Sequence, residues 1–292
     1  MAKPYSPKLS PRLEGIASLI PECDCIADIG CDHGYIPIDA VQKGKAKKAL
    51  ACDIKEGPLE RAKKNIEKAG LDDKIAGRLC PGLEGIKPGE ADVIVIAGMG
   101  MRTIAEILTA GEKTAKAAKY LILQPQSEIP EMREFLKEND YNLLENKLMI
   151  EGEKYYFAML VSPAETAGEG HTGRFAERLL QKNDIPELET FVNDLDSLFG
   201  LDLVYTDKGM GFYLRHVVNE WGEAIEKMSQ AKKLDTVKIA ELEKKKKAAE
   251  LALELNTLFC GTDKRLEALF DMDLLSKTAE EDDNDGGTAC TN

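Results

Sequence analysis

Five apolar runs recur through the first half of this chain, and their spacing constrains the fold more than any single motif does. They are CIADIG (Cys25 to Gly30), AKKALACD (Ala46 to Asp53), DKIAGRL (Asp73 to Leu79), ADVIVIAGMG (Ala91 to Gly100) and AKYLILQP (Ala118 to Pro125). Runs of this kind, about 20 to 30 residues apart with helical patterns between them, are strands covered on both faces, which means parallel strands joined by crossover helices. The segment Gly57 to Gly70 has helical periodicity and a glycine stop, and Ser10 before Pro11 is an N-cap followed by Leu13, Ile16, Ala17 and Ile20 at helical spacing. The rhythm breaks at Tyr141 to Val161, where two strand-like runs are joined only by Glu151-Gly152-Glu153-Lys154. That link is too short for a parallel crossover and predicts an antiparallel hairpin. The expectation is an α/β protein with a mostly parallel, doubly wound, seven-stranded sheet that ends in an antiparallel pair.

The 292 residues, 43% of them apolar, give room for one large domain with an appendage or for two domains. The small, polar, glycine-rich stretch Ser162 to Gly173 is the natural boundary. Beyond it Leu214, Val217, Trp221, Ile225 and Met228 step by three and four, and Ile239, Leu242, Lys246, Ala249 and Leu253 do so again after a polar break near Asp235. These are two long helices, forming either an antiparallel coiled-coil hairpin or a helical subdomain packed on the sheet. The division expected is residues 1–161, a helical region over 174–277, and an acidic disordered tail over 278–292. No apolar run reaches eighteen residues and the first ten residues lack the apolar core of a secretory signal, so a cytoplasmic protein without a membrane span is expected. Seven cysteines at irregular spacing and three scattered histidines make neither a disulfide framework nor a metal site. The formal charge of −13 opposes general affinity for nucleic acid, although five of the acids lie in the tail, so that any nucleic-acid site must be a local basic patch.

In an open α/β sheet the ligand sits beyond the carboxyl ends of the strands, where their order reverses. The first strand ends at Asp28-Ile29-Gly30, and Asp32 and His33 follow where a dinucleotide fingerprint would carry its second glycine. An acid in that bend repels a pyrophosphate and suits a cation. S-adenosylmethionine is such a ligand, an adenosine carrying a sulfonium and an ammonium but no phosphate. Asp53, at the end of the second strand and 23 residues after Gly30, is placed for the two ribose hydroxyls. Asp53 alone fits dinucleotide-binding folds equally; Asp32 and the terminal hairpin point instead to the architecture of class I methyltransferases. Asp28 is either a ligand contact or a loop cap. Gly98 and Gly100 either permit a tight turn or let a reacting group approach the backbone.

Leu9 to Leu13, Ala27 to Pro37, Glu56 to Ala62, Asp92 to Gly100, Leu121 to Gln126 and the hairpin at Gly152 together resemble the TrmK family, bacterial tRNA (adenine(22)-N1)-methyltransferases. The resemblance covers residues 9 to about 161, and the paired C-terminal helices are similar to that family's coiled-coil extension. It implies a class I, Rossmann-like fold, S-adenosylmethionine as methyl donor, and tRNA as acceptor and partner; a monomer without metal is expected. It further implies Asp32, His33 and Tyr35 as the catalytic group. Asp28, Gly30, Cys31, Gly34, Asp53, Ile54, Gly82, Leu83, Ala97, Gly98, Met99 and Gly100 would surround the cofactor, and Arg12, Met101, Gln124, Pro125 and Gln126 the substrate. The chain departs from the family at Cys31, where serine is usual, at Met101, where glycine is usual, and at Cys80-Pro81-Gly82-Leu83, where a glycine-acid-glycine-leucine motif is usual. Pro81 removes both a carboxylate and a backbone donor. Two alternatives stay open: a methyltransferase for another RNA or a small molecule, and a non-catalytic member that binds RNA or protein.

Overall fold

The computed structural model describes residues 5–163, 186–231 and 234–260. The acidic tail and nearly all of the expected linker lie outside the described residues. In chain order the elements are α1 (Pro11–Ser18), β1 (Cys23–Ile29), α2 (Tyr35–Gln42), β2 (Ala46–Asp53), α3 (Glu56–Ala69), β3 (Ile75–Leu79), β4 (Val93–Met99), α4 (Met101–Ala110), α5 (Glu112–Ala117), β5 (Tyr120–Pro125), α6 (Ile129–Glu138), β6 (Asn142–Glu151) and β7 (Lys154–Ser162). Then come α7 (Pro186–Phe199), α8 (Leu201–Thr206), α9 (Met210–Ser229) and α10 (Thr236–Cys260).

Seven strands form one sheet in the order β3-β2-β1-β4-β5-β7-β6. The first five are parallel, and β7 pairs antiparallel with both β5 and β6. Strand order reverses between β1 and β4, so the crevice that can take a ligand opens above the ends of those two strands. The apolar runs alternate between two cores. Ile26, Ala49, Ala51, Val93 and Val95 face α1, α2 and α3, while Ala27, Ile29, Leu50, Ile94 and Ile96 face α4, α5 and α6. Burial on both faces is why these strands read as unbroken apolar text. The Ser10 hydroxyl accepts from the Leu13 amide at 3.5 Å with Pro11 at the first helical position, and α3 stops at Gly70 in the left-handed region, φ +65°.

A third core joins the hairpin to the C-terminal helices. Leu148 and Phe157 pack with Val192, Phe199, Leu201, Val204, Met210 and Leu214, and the Phe157 and Tyr213 rings meet edge to face at 4.9 Å. The buried Asn256 amide of α10 donates to the carbonyls of Val204 at 2.7 Å and Asp207 at 3.0 Å. The helical region is therefore anchored on the sheet at its root, and beyond Val217 α9 and α10 pair with only half-buried residues. Among the described residues no helix is long and apolar enough to cross a membrane, and no group of three or more potential metal ligands converges.

Candidate active site

The bend after β1 is held from inside. The Gly30 and Cys31 amides both donate to the Cys52 carbonyl at 2.9 Å, the Gly34 amide donates to the Cys31 carbonyl at 2.7 Å, and the Asp32 amide points to Asp53 Oδ2 at 3.4 Å. Four amides of the bend are thus engaged within the protein. Gly30 and Gly34 stand at φ +74° and +69°, and Asp32 at φ +42° shares the left-handed region, uncommon for a residue with a side chain. Gly34 also packs against α3, where an added Cβ would come within 3.1 Å of the Ala62 Cβ.

Two carboxylates flank the crevice floor. Asp28 is 5% exposed, and burial, reinforced by the nearby Asp53 charge, pushes its carboxyl up to about 7. Asp53 is also buried; its Oδ1 accepts from the Lys55 amide at 2.9 Å, which stiffens the turn after β2. Beside Asp53 the surface turns apolar. Ile54 is 65% exposed and Leu79, the register partner of Asp53 on β3, is 52% exposed. On the rim, Asp32 accepts from Arg61 of α3 at 2.6 Å through Oδ1, and His33 Nε2 lies 3.4 Å from Oδ2. The His33 and Tyr35 rings stack with centroids 5.1 Å apart.

The opposite wall is a bulge. Register between β4 and β5 slips between Ala97 and Met99, with Gly98 at φ +76°. The Met99 methyl reaches back over the bend, 2.4 Å from where a Cβ on Gly30 would stand. Arg12 comes in from α1. Its Nη1 donates to Gln124 Oε1 at 2.9 Å, its guanidinium lies 5.6 Å from the centroid of the Tyr156 ring, and its amide donates to Glu151 Oε2 at 3.1 Å. The hairpin thereby fixes the helix that carries Arg12 to the crevice.

A methyltransferase-domain family model matches residues 9–159 of the chain. The tRNA (adenine(22)-N(1))-methyltransferase of Bacillus subtilis strain 168 is 42% identical over 158 residues, which are 54% of this chain and 66%, just under two thirds, of the relative. The crystal structure of the B. subtilis M1A22 tRNA methyltransferase TrmK is 31% identical, superposes with a TM-score of 0.63, and covers 84% of this chain and 99% of its own. The chain belongs to the TrmK family of class I methyltransferases. TrmK of M. capricolum, solved in complex with S-adenosyl-homocysteine, is 27% identical with a TM-score of 0.67, covering 85% and 98% of the two chains.

The residues expected to line the site divide by what the fold does with them. Asp28, Gly30, Asp32, His33, Gly34, Tyr35 and Asp53 gather at the bend, with Ile54 beside them, and Arg12, Ala97, Gly98, Met99, Gly100 and Gln126 gather across the crevice. Four of the remaining expected residues are buried. Cys31 is buried and both its backbone groups are engaged, so no polar group of it is left for a ligand beyond the thiol, whose pKa burial pushes up. Leu83 is a core side chain packed under Gly111, 2.5 Å from where a Cβ on that glycine would sit. Gln124 is fully buried with its amide shared between Arg12 and the Pro125 carbonyl, and Pro125 is buried next to it. Gly82, at φ +51°, closes the turn against Ile107, and Met101 opens α4 half-buried against the second core. Reading the sequence did not find Arg61, Leu79, Glu151 or Tyr156. Only the strand-end position of Leu79 beside Asp53 offered any signal.

Proposed function

We propose that the chain transfers a methyl group from S-adenosylmethionine to N1 of an adenine in tRNA, at position 22. The observation that carries this reading is the acid-bearing bend: a site after β1 that gathers Asp28, Asp32 and Asp53 suits a cationic adenosine derivative without phosphate. The residues present fit that group. Asp28 is a buried acid whose ionisation a ligand cation favours, Asp53 keeps acceptor capacity for two hydroxyls, and exposed Ile54 and Leu79 give a purine ring an apolar face. The absence of an acid at Pro81 leaves that ring held by apolar contact and the ribose more than by its amine.

S-adenosylmethionine supplies an electrophilic methyl group on its sulfonium. The work of the chain is to hold the acceptor nitrogen in line with that methyl and to exclude competing geometries. Adenine N1 has an in-plane lone pair and needs no base, but attack leaves a positive charge on the ring, which Asp32 at the rim stabilises electrostatically. Arg61 fixes the Asp32 carboxylate, and the His33–Tyr35 stack offers a flat surface to the base. Arg12, oriented by Gln124 and Glu151, supplies a cation for the RNA backbone. N1 belongs to the Watson–Crick edge, so a paired adenine must first be exposed, at roughly a few kcal/mol. The unit over residues 1–161 carries the chemistry, and the helical region grips the tRNA and aids that exposure. The protein works as a cytoplasmic monomer.

Transfer of labelled methyl to tRNA transcripts with adenine or another base at position 22 tests the proposal. Incorporation that requires the adenine is expected. Incorporation unaffected by its replacement removes the assigned position, and labelling of no RNA removes the function.

A further inference from the structure

Resting on the proposed reaction, we infer that Gln126 is the residue that selects adenine, reading the N6/N7 edge of the acceptor base through its side-chain amide. Gln124 and Gln126 look equivalent in sequence and have opposite fates. Gln124 spends both ends of its amide inside the protein, on Arg12 Nη1 at 2.9 Å and on the Pro125 carbonyl at 2.8 Å. Gln126 lies just past the end of β5, is exposed, and its backbone amide donates to the Met99 carbonyl at 2.9 Å. That bond pins it over the bulge of β4. Its Nε2 comes within 3.7 Å, and Arg12 Nη1 within 3.4 Å, of the point where a Cβ on Gly98 would stand. Its side chain makes no hydrogen bond among the described residues. An uncommitted amide therefore stands beside Gly98, whose left-handed backbone favours glycine, at the same end of the sheet as the acid-bearing bend.

The chemistry dictates which edge of the base this amide meets. N1 must face the methyl donor, so the edge left for the protein is the one bearing the N6 amino group and N7. A glutamine matches that edge with two bonds, Oε1 accepting from N6 and Nε2 donating to N7. Guanine presents two acceptors there and opposes the carbonyl, and pyrimidines have no N7. Gln124 is then a positioning residue for Arg12, and Gln126 a specificity residue.

The test uses the full chain and tRNA transcripts assembled with adenosine or 7-deazaadenosine at position 22, which differ by the N7 acceptor alone. For the wild type kcat/KM should fall on the order of tenfold with 7-deazaadenosine, as expected for one lost hydrogen bond in a desolvated site. Gln126→Ala should be slower on adenosine by on the order of 10- to 100-fold, be indifferent to the loss of N7, and bind S-adenosylmethionine as the wild type does. A wild type equally fast on both transcripts overturns the inference and leaves the proposed reaction standing. A 7-deaza penalty that persists in Gln126→Ala also overturns it, because N7 is then read elsewhere. A wild type inactive on the adenosine transcript removes the proposed reaction and this inference with it.

Discussion

Replacing Asp28 by asparagine separates the two consequences of burying an acid under the cofactor crevice. Asp28 is 5% exposed and its carboxyl is pushed up to about 7, first by burial and second by Asp53, from an ordinary value of 3.8. Because the folded-state value lies above the unfolded one, the folded protein holds a proton that the unfolded chain has released. The stability that Asp28 contributes to the wild type is therefore fully present below about pH 4, falls as pH rises toward about 7, and is flat above it. The full interval corresponds to roughly 4 kcal/mol at 1.36 kcal/mol per pH unit, an upper bound of that order. Asparagine removes the titration. Its own buried amide costs about 1 to 3 kcal/mol, a constant that displaces the curve without changing its slope. The stability of Asp28→Asn minus that of the wild type should therefore climb by about 1.4 kcal/mol per unit between pH 5 and 7, a change of about 2 to 4 °C in Tm for each kcal/mol. Thermal or denaturant unfolding across pH 5 to 9 reads it directly. Titration with S-adenosylmethionine over the same range supplies the second half. Wild-type affinity should rise by up to about tenfold per pH unit below 7 and then level as the carboxylate becomes available, whereas Asp28→Asn should bind weakly and without that slope. Parallel stability curves for the two proteins, or equal cofactor affinity at pH 8, would refute the reasoning.

Three further outcomes are expected. Asp53→Ala should weaken S-adenosylmethionine by on the order of 10- to 100-fold in calorimetry, the range for charged hydrogen bonds; a change under about twofold would take the ribose contact away from it. Asp32→Ala should lower kcat for tRNA methylation by on the order of 10- to 100-fold while leaving cofactor affinity nearly intact, and equal rates would remove Asp32 from the chemistry. Gly34→Ala should destabilise by roughly 2 to 4 kcal/mol, combining the left-handed backbone with a crowded contact to α3. Gly44→Ala, at φ +73° with nothing within 4 Å of an added Cβ, should show the backbone part alone. Equal denaturant midpoints for these two variants would contradict the packing argument at Ala62.

The strands were legible because each parallel strand is buried on both faces, which writes Ile94, Val95 and Ile96 next to one another with no polar relief. The hairpin was legible because four residues between Ile150 and Tyr155 leave no other connection, and α1 because Ser10 and Pro11 are local signals. What the sequence hid is what depends on distant partners. Arg61 approaches Asp32 from 29 residues away and Glu151 reaches the Arg12 amide from 139, and nothing in either local text records the meeting. Gln124 and Gln126 show the limit most clearly. Alternation would place both on one face of a strand, but β5 ends at Pro125, so the first is locked into the core and the second turns out over the bulge. Cys31 and Leu83 carry the same lesson in reverse: motif position marked them, and their burial depends on partners that the local text does not record. The choice between a free coiled coil and a packed subdomain also rested on tertiary contact, since the apolar stripe of α9 serves the sheet at its root and α10 along its length.

The most direct measurement is calorimetric titration of the intact chain with S-adenosylmethionine, S-adenosyl-homocysteine and NAD under identical conditions. The acid-bearing bend should take one equivalent of either S-adenosyl ligand and give no heat with the pyrophosphate. Binding of NAD, or silence toward both of the others, would contradict the account at its root.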